Sequence, residues 1–388
     1  MENDYGNDEV LMSRRTSCAA ASSLIKFGGN GINRDELTSQ MEKLEAIWSM
    51  NLSGISLEVP KKNLQIAFST LYSTWSKPLL PLKEFQRYQA AQIALYEGNL
   101  KNPIKVADIE VRLRFDNFPE GHWSKPKKIE SLLEETKKLT LADVEKCAND
   151  FINPSELRVG IVGNLSVDEA SSLWESKGST KYSTVQFKRL SSPVAPTAVD
   201  TKPIKVAMPD TSNAQVSGTT VVAINKNSSE FAALQLAIEI VGGNSSSLIW
   251  KRLREESGIA YSSGMYIAPA VFDLRSTIQL YATSSIGNAD KAMDQLKEVL
   301  SKALDEGFTN DQIQRAQEVW KQKRKVYLGV EKDFVSTLVD SLYDGYDYAA
   351  MDKFDEKILS IDAKDATHAL RKYLNPSSIV WATGKGID

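Results

Sequence analysis

Gly242-Gly-Asn-Ser-Ser-Ser-Leu248-Ile-Trp-Lys-Arg-Leu253-Arg254-Glu-Glu-Ser-Gly258-Ile-Ala260-Tyr261 is the most informative stretch of the chain. The paired glycines suit a helix end and the serines suit a cap. A short basic helix and a Gly-led strand follow. Two glycines and three serines before a helix N-terminus also suit a phosphate cradle, but the string lacks the Gly-Lys-Ser/Thr of a phosphate loop. By residue type alone, Arg254 reads as a solvated helix residue paired with a nearby carboxylate. Tyr261 reads the same way as a half-buried strand residue.

Outward from this stretch the pattern alternates between strands and helices. Upstream lie strands at 204–208 and 215–224, then a helix capped by Ser229 with Phe231, Leu234, Ile238 and Val241 on one face. Downstream lie strands at 259–267 and 276–284, and a helix at 289–304 ending at Gly307. Thr309-Asn-Asp-Gln312 opens the next helix as a capping box, and 334–343 is helical. The Pro/Ser/Ala-rich run Ser191-Ser-Pro-Val-Ala-Pro-Thr-Ala198 is the best boundary in the chain.

The part before that boundary reads as a similar unit. A buried Ala/Ser-rich helix at 16–27 ends at Gly28-Gly29, and a helix begins at Asp35. One or two strands fill 47–59, helices fill 63–75, 82–95 and 105–115, and a Thr140-capped helix at 140–151 runs into a strand at 157–162. A faint repeat links the two parts. Phe151-Ile-Asn153-Pro154-Ser155 follows a capped helix and enters an apolar strand ending at Gly163. Tyr373-Leu-Asn375-Pro376-Ser377 does the same before Gly384. Two copies of one α/β domain explain this economically, although helix–Asn–Pro–strand is also a common turn solution. The expected organisation is a first domain over 1–190, a linker over 191–200 and a second domain over 201–388.

Composition narrows the function classes. With 388 residues, 42% hydrophobic and 25% charged, the chain has the balance of an ordinary globular protein. A net charge of -3 supplies no basic field for nucleic acid or anionic lipid. No apolar run is long enough to span a bilayer, and the acidic start Met1-Glu-Asn-Asp-Tyr shows no secretory signal. The compartment stays open; periplasm or an organelle would suit a fragment of a longer chain. Cys18 and Cys147 could pair, but nothing in the sequence requires it, and two small half-buried thiols are the expectation. The two histidines, His122 and His368, have no histidine at helical spacing.

The Gly242–Tyr261 string resembles the signature of the second domain in each half of the pitrilysin/insulinase zinc peptidase family: Gly-Gly, small polar residues, Leu, then Leu-Arg-Glu, two residues, Gly, one residue, Ala-Tyr. The resemblance runs through the Leu24-Ile-Lys-Phe-Gly-Gly29 turn, Glu84-Phe-Gln-Arg87, Lys138-Leu-Thr-Leu-Ala-Asp-Val144, the strand 157–163 and Glu306-Gly-Phe-Thr309. It implies an α+β fold: two similar α/β-roll domains, each an antiparallel-rich sheet packed on helices, together forming one half of a clamshell.

Active members of that family carry H-x-x-E-H on the first long helix, where two histidines bind zinc and the glutamate activates water. Counted back from Gly28-Gly29, those positions hold Ala19, Ser22 and Ser23, none of which can do either job. Glu97 falls roughly where the third ligand would be and by itself reads as a surface carboxylate. The resemblance therefore implies a chain with no metal or cofactor of its own, with zinc in a partner half bearing H-x-x-E-H. That partner would be part of the same longer chain or a separate subunit. Arg254 and Tyr261 match the family's pair that stabilises the scissile carbonyl in trans, on an unfolded peptide docked by strand addition near the partner's zinc.

The alternative is a proteolytically inactive scaffold. Only Met1–Arg15 precede the first helix, too short for the two opening strands of the family, so a shortened subunit or a C-terminal half is expected. The surface that would face the other half leaves self-association of the lone chain open.

Overall fold

The computed structural model describes residues 1–3, 6–152, 157–175, 187–209 and 211–387. The first part of the chain contributes β1 (Glu2–Asn3), α1 (Asp8–Leu11), α2 (Arg15–Leu24), the small hairpin β2 (Gly28–Gly29) and β3 (Ile32–Asn33), α3 (Arg34–Lys43), β4 (Ile47–Asn51), β5 (Gly54–Glu58), α4 (Leu64–Ser76), α5 (Leu82–Leu100), α6 (Pro103–Arg114), α7 (Ile129–Lys138), α8 (Leu141–Phe151), β6 (Leu157–Arg158) and α9 (Val167–Glu175). The helix starts follow local chemistry. Asn33 and Glu36 form a capping box at α3, and Thr140 and Asp143 form another at α8.

Four strands make the first sheet in the order β4-β5-β1-β6, all antiparallel. Among the described residues Met1–Arg15 thus supplies one strand, Glu2–Asn3, which sits between β5 and β6. The helical layer closes over this sheet through α2, α4 and α8, with Leu24, Leu71, Tyr72, Trp75 and Phe151 fully buried. The small side chains of α2 let it approach α8, and Cys18 and Cys147 are joined there by a disulfide with Cα atoms 5.4 Å apart. The expectation of two free thiols is corrected: the helix packing brings together residues 129 positions apart, which sequence spacing cannot register.

The second part contributes β7 (Ile204–Met208), β8 (Asn213–Val222), α10 (Phe231–Gly242), α11 (Leu248–Trp250), β9 (Ala260–Ala268), β10 (Ser276–Ser285), α12 (Ala289–Glu306), α13 (Asn310–Leu328), α14 (Glu331–Asp344), α15 (Tyr348–Ser360), α16 (Ala363–Tyr373) and β11 (Val380–Gly386). Its five-stranded sheet runs β7-β11-β8-β10-β9, parallel only between β11 and β7. The sheet is therefore antiparallel-rich and packed on helices, as the α+β expectation required.

Several local expectations change. The 157–162 strand shortens to Leu157–Arg158, because α14 lies over the following backbone: a Cβ on Gly160 would sit 2.7 Å from Val339 Cγ2. Ser229 does not cap α10, which begins at Phe231 without a side-chain cap. Nor is α10 amphipathic. Eleven of its twelve residues are buried, because it runs between β9 and helices α13, α15 and α16. The Asn153-Pro154-Ser155 turn of the first repeat lies outside the described residues.

The two parts exchange a helix. Helix α6 packs through Ala107, Val111 and Phe115 on Ile204, Val380 and Ala382 of the second sheet. In return α14 packs against β6 of the first, where Arg158 pairs with Glu2 and lies 4.6 Å from the Tyr343 ring centre. The stretch 191–198 has no regular structure but is pinned. Arg275 donates to Phe115 O, Pro193 O and Val194 O, and Asp273 accepts from Ser192 N and Arg189. No helix among the described residues is long and apolar enough to cross a membrane.

Candidate functional site

Between α10 and β9 the backbone departs from regularity twice, each time at a residue singled out by the sequence. Ser247 accepts from Trp250 N at the start of α11. After one turn the helix widens to π geometry over Lys251–Glu256, the segment that carries Arg254. Inserting a residue into a helix in this way costs hydrogen-bond quality and recurs at functional sites. The segment is anchored by fully buried Ile249 and Leu253, by Ile259 N donating to Leu253 O, and by Gln295 donating to Ser257 Oγ at 2.7 Å.

The second irregularity is a β-bulge. Ala260 pairs with Ser284 and Ser262 with Thr283, so Tyr261 is the extra residue with no partner opposite it. A bulge re-aims a side chain, and Tyr261 is left 59% exposed on the edge strand of the sheet. Arg254 is exposed too, and its Nη1 donates to Ala260 O at 3.1 Å. That bond ties the guanidinium to the residue next to Tyr261. Arg252, two residues earlier, pairs with Glu298 and Glu256. Among the described residues no carboxylate pairs with Arg254, which overturns the solvated-ion-pair reading. Arg254 and Tyr261 are brought to one end of β9 with donor hydrogens not consumed by acidic neighbours.

A phosphate cradle at Gly242–Ser247 does not fit. The turn is filled by the buried carboxylate of Glu239, which accepts from Asn244 Nδ2 at 2.7 Å and Lys323 Nζ at 2.6 Å. An acidic group at its centre would repel an anion. This trio escaped the sequence reading, although a lone glutamate in the otherwise apolar run Leu236-Ala-Ile-Glu-Ile-Val241 was a signal for it.

The positions of the zinc motif lie on α2. Ala19 is exposed, Ser23 Oγ donates to Ala19 O, and Ser22 Oγ accepts from Leu52 N between β4 and β5. The seam between α2 and α5 is lined by Tyr88 and Tyr96. Burial raises the pKa of Tyr88, as does its neighbour Tyr96, while contact with the Ser23 hydroxyl pulls the other way. Glu97 is exposed on α5. His122 is buried, stacked on Phe118, and accepts from Ser124 N through Nδ1, a structural role. His368 is exposed beside Glu230. Among the described residues no three His, Cys, Asp or Glu side chains gather in a form that could hold a metal ion.

Residues 138–319 match the family model of the peptidase M16 inactive domain. No curated protein sequence matches the chain. Among solved structures, the fold resembles a peptidase M16 inactive domain from Pseudomonas fluorescens, with a TM-score of 0.79 at 15% identity over 97% of this chain and 92% of that one. It also resembles a protease from Helicobacter pylori, with a TM-score of 0.78 at 13% identity over 96% and 89%. The periplasmic protease PqqL from Escherichia coli gives 0.73 at 18% identity, over 97% of this chain and 41% of that one. Residues 138–319 are thus similar to a peptidase M16 inactive domain, and the fold of the chain is that of these solved structures.

Proposed function

We propose that this chain is the substrate-binding, non-zinc half of a metallopeptidase. Arg254 and Tyr261 would donate hydrogen bonds to the scissile carbonyl oxygen of a peptide held at the zinc of a partner half. A guanidinium and a phenol aimed at developing negative charge stabilise it most where water is excluded, which is why closure of two halves matters to the chemistry. The observation that carries the reading is the coincidence of a π-helical segment and a β-bulge with these two residues. The domain limits 1–190 and 201–388, the zinc of the partner and the peptide substrate belong to the same proposal.

The test is cleavage of an unstructured fluorogenic peptide, with chelator controls, by this chain alone and mixed with a half bearing H-x-x-E-H. Cleavage by the mixture only is expected. Arg254→Ala or Tyr261→Phe should then lower kcat by an oxyanion-donor factor of about 10²–10³. A mixture that never cleaves would transfer the reading to an inactive scaffold, and wild-type rates in both variants would remove the two residues from the mechanism.

A further inference from the structure

Glu239 is a buried carboxylate to which the proposed function gives no role. It is 5% exposed, in the last turn of a helix whose other buried residues are all apolar. Burying an ionised carboxylate is costly unless it is paired and hydrogen-bonded. Glu239 has both: Lys323 Nζ at 2.6 Å and Asn244 Nδ2 at 2.7 Å. Lys323 also donates to Gly243 O at 3.1 Å, and Asn244 Oδ1 accepts from Ser246 N at 2.7 Å. The cluster thus grips Gly243, Asn244 and, through Asn244, Ser246 of the turn leading to Ser247 and the π-helical segment.

The paired glycines make this grip possible. A Cβ on Gly243 would lie 2.4 Å from Glu239 Oε2, and one on Gly242 would lie 2.2 Å from the backbone nitrogen of Met265 on β9. The turn is therefore clamped between the carboxylate and the strand that carries Tyr261. The other end of the clamp is also fixed. Helix α13, which bears Lys323, is tied to α15 by Trp320 and Arg324 donating to Asp355, and by Gln317 donating to Ile358 O and Ile361 O.

We propose that Glu239 and Lys323 are positioning residues for Arg254: an ion pair between a buried carboxylate and an exposed lysine that locks the Gly242–Ser247 turn and sets where the π-helical segment presents its guanidinium. It rests on the functional reading above for what Arg254 does, but not for the lock itself. Small misplacement of a reacting group is expensive in rate, so the lock acts on turnover rather than on peptide affinity.

Two measurements decide it. Hydrogen exchange of the lone chain should show faster exchange of amides 244–256 in Lys323→Met, with the rest of the protein unchanged and the effect reversed in Lys323→Arg. In the peptide-cleaving mixture, Lys323→Met should lower kcat about 10- to 100-fold at nearly constant KM. It should add little to the loss already caused by Arg254→Ala, because residues acting as one unit are not additive. Unchanged exchange in 244–256 overturns the lock. Exchange that rises while kcat holds, or losses that multiply with Arg254→Ala, overturns its role in positioning Arg254. If Arg254→Ala itself is silent, the functional reading falls while the exchange experiment still decides the lock.

Discussion

The two halves of the chain are built on one plan and finished differently. In each, a long exposed helix sends a glutamine to the end of another helix. Gln89 of α5 donates to Thr136 O and Leu139 O at 2.9 and 3.0 Å, and Gln317 of α13 donates to Ile358 O, Leu359 O and Ile361 O at 3.0–3.2 Å. In each, the next helix is capped by a side chain, Thr140 or Asp362, and packs on a central helix, α2 or α10. Each also lends a helix to the other's sheet.

The sheets differ most. Among the described residues, strands β8, β9 and β10 run nine or ten residues, whereas β1 and β6 have two each. The half with the long sheet keeps the Arg254/Tyr261 arrangement. The half with the short sheet carries Ala19, Ser22 and Ser23 where the resemblance places the zinc motif, and it has a disulfide between the two helices that pack without a covalent link in the other half. A half with a smaller sheet needs something else to hold its layers together.

That comparison breaks most directly at Cys18–Cys147. In the chain-entropy model a bond closing 129 residues contributes on the order of 4–5 kcal/mol. Replacing both cysteines by alanine should lower the melting temperature and accelerate hydrogen exchange in α2 and α8, while α10 and α16 hold their protection. Equal loosening in both halves would mean that the disulfide does not compensate for the short sheet. Such bonds persist in oxidising compartments, and reductant should reproduce the double substitution.

The mirrored glutamines give a second, smaller test. Removing either leaves carbonyls at a helix end without their donor, about 1–3 kcal/mol. Gln89→Ala and Gln317→Ala should therefore cost similar amounts in urea unfolding. A large cost at one and none at the other would show that the shared geometry no longer does the same work in both halves.

Local chemistry made the plan readable from sequence. The Thr140–Asp143 and Thr309–Gln312 boxes, the Gly242-Gly243 stop and the strands β8 and β10 all sit close to where their residue types place them. What escaped depends on contacts distant in sequence. Burial of α10 on every side needs three helices and a strand around it. The truncation after Arg158 needs α14, the disulfide needs the α2–α8 packing, and the exchanged helices need both sheets at once. At the site, the residue types at 254 and 261 were readable, but the π segment and the bulge that present them follow from how the α11 segment must meet an edge strand already paired with β10.

The smallest expected effect lies where α14 meets the first sheet. The pKa of Asp340 is raised above the ordinary carboxylate value by burial first, then by Glu2 and Asp344, against the attraction of Lys226 and Arg158. The folded state therefore holds this proton more tightly than the unfolded chain does. The penalty is absent below the ordinary carboxylate pKa and grows as pH rises through the raised one. Asp340→Asn removes it, so the variant should melt slightly higher than wild type at pH 7, by roughly 1–2 °C given the partial exposure of the group. At about pH 3.5, where the aspartate is largely protonated in the fold, the two proteins should converge. A variant that melts lower at pH 7 would mean that the attraction of Lys226 and Arg158 outweighs burial and repulsion, making the helix-exchange contact on this side an attractive seam rather than a strained one.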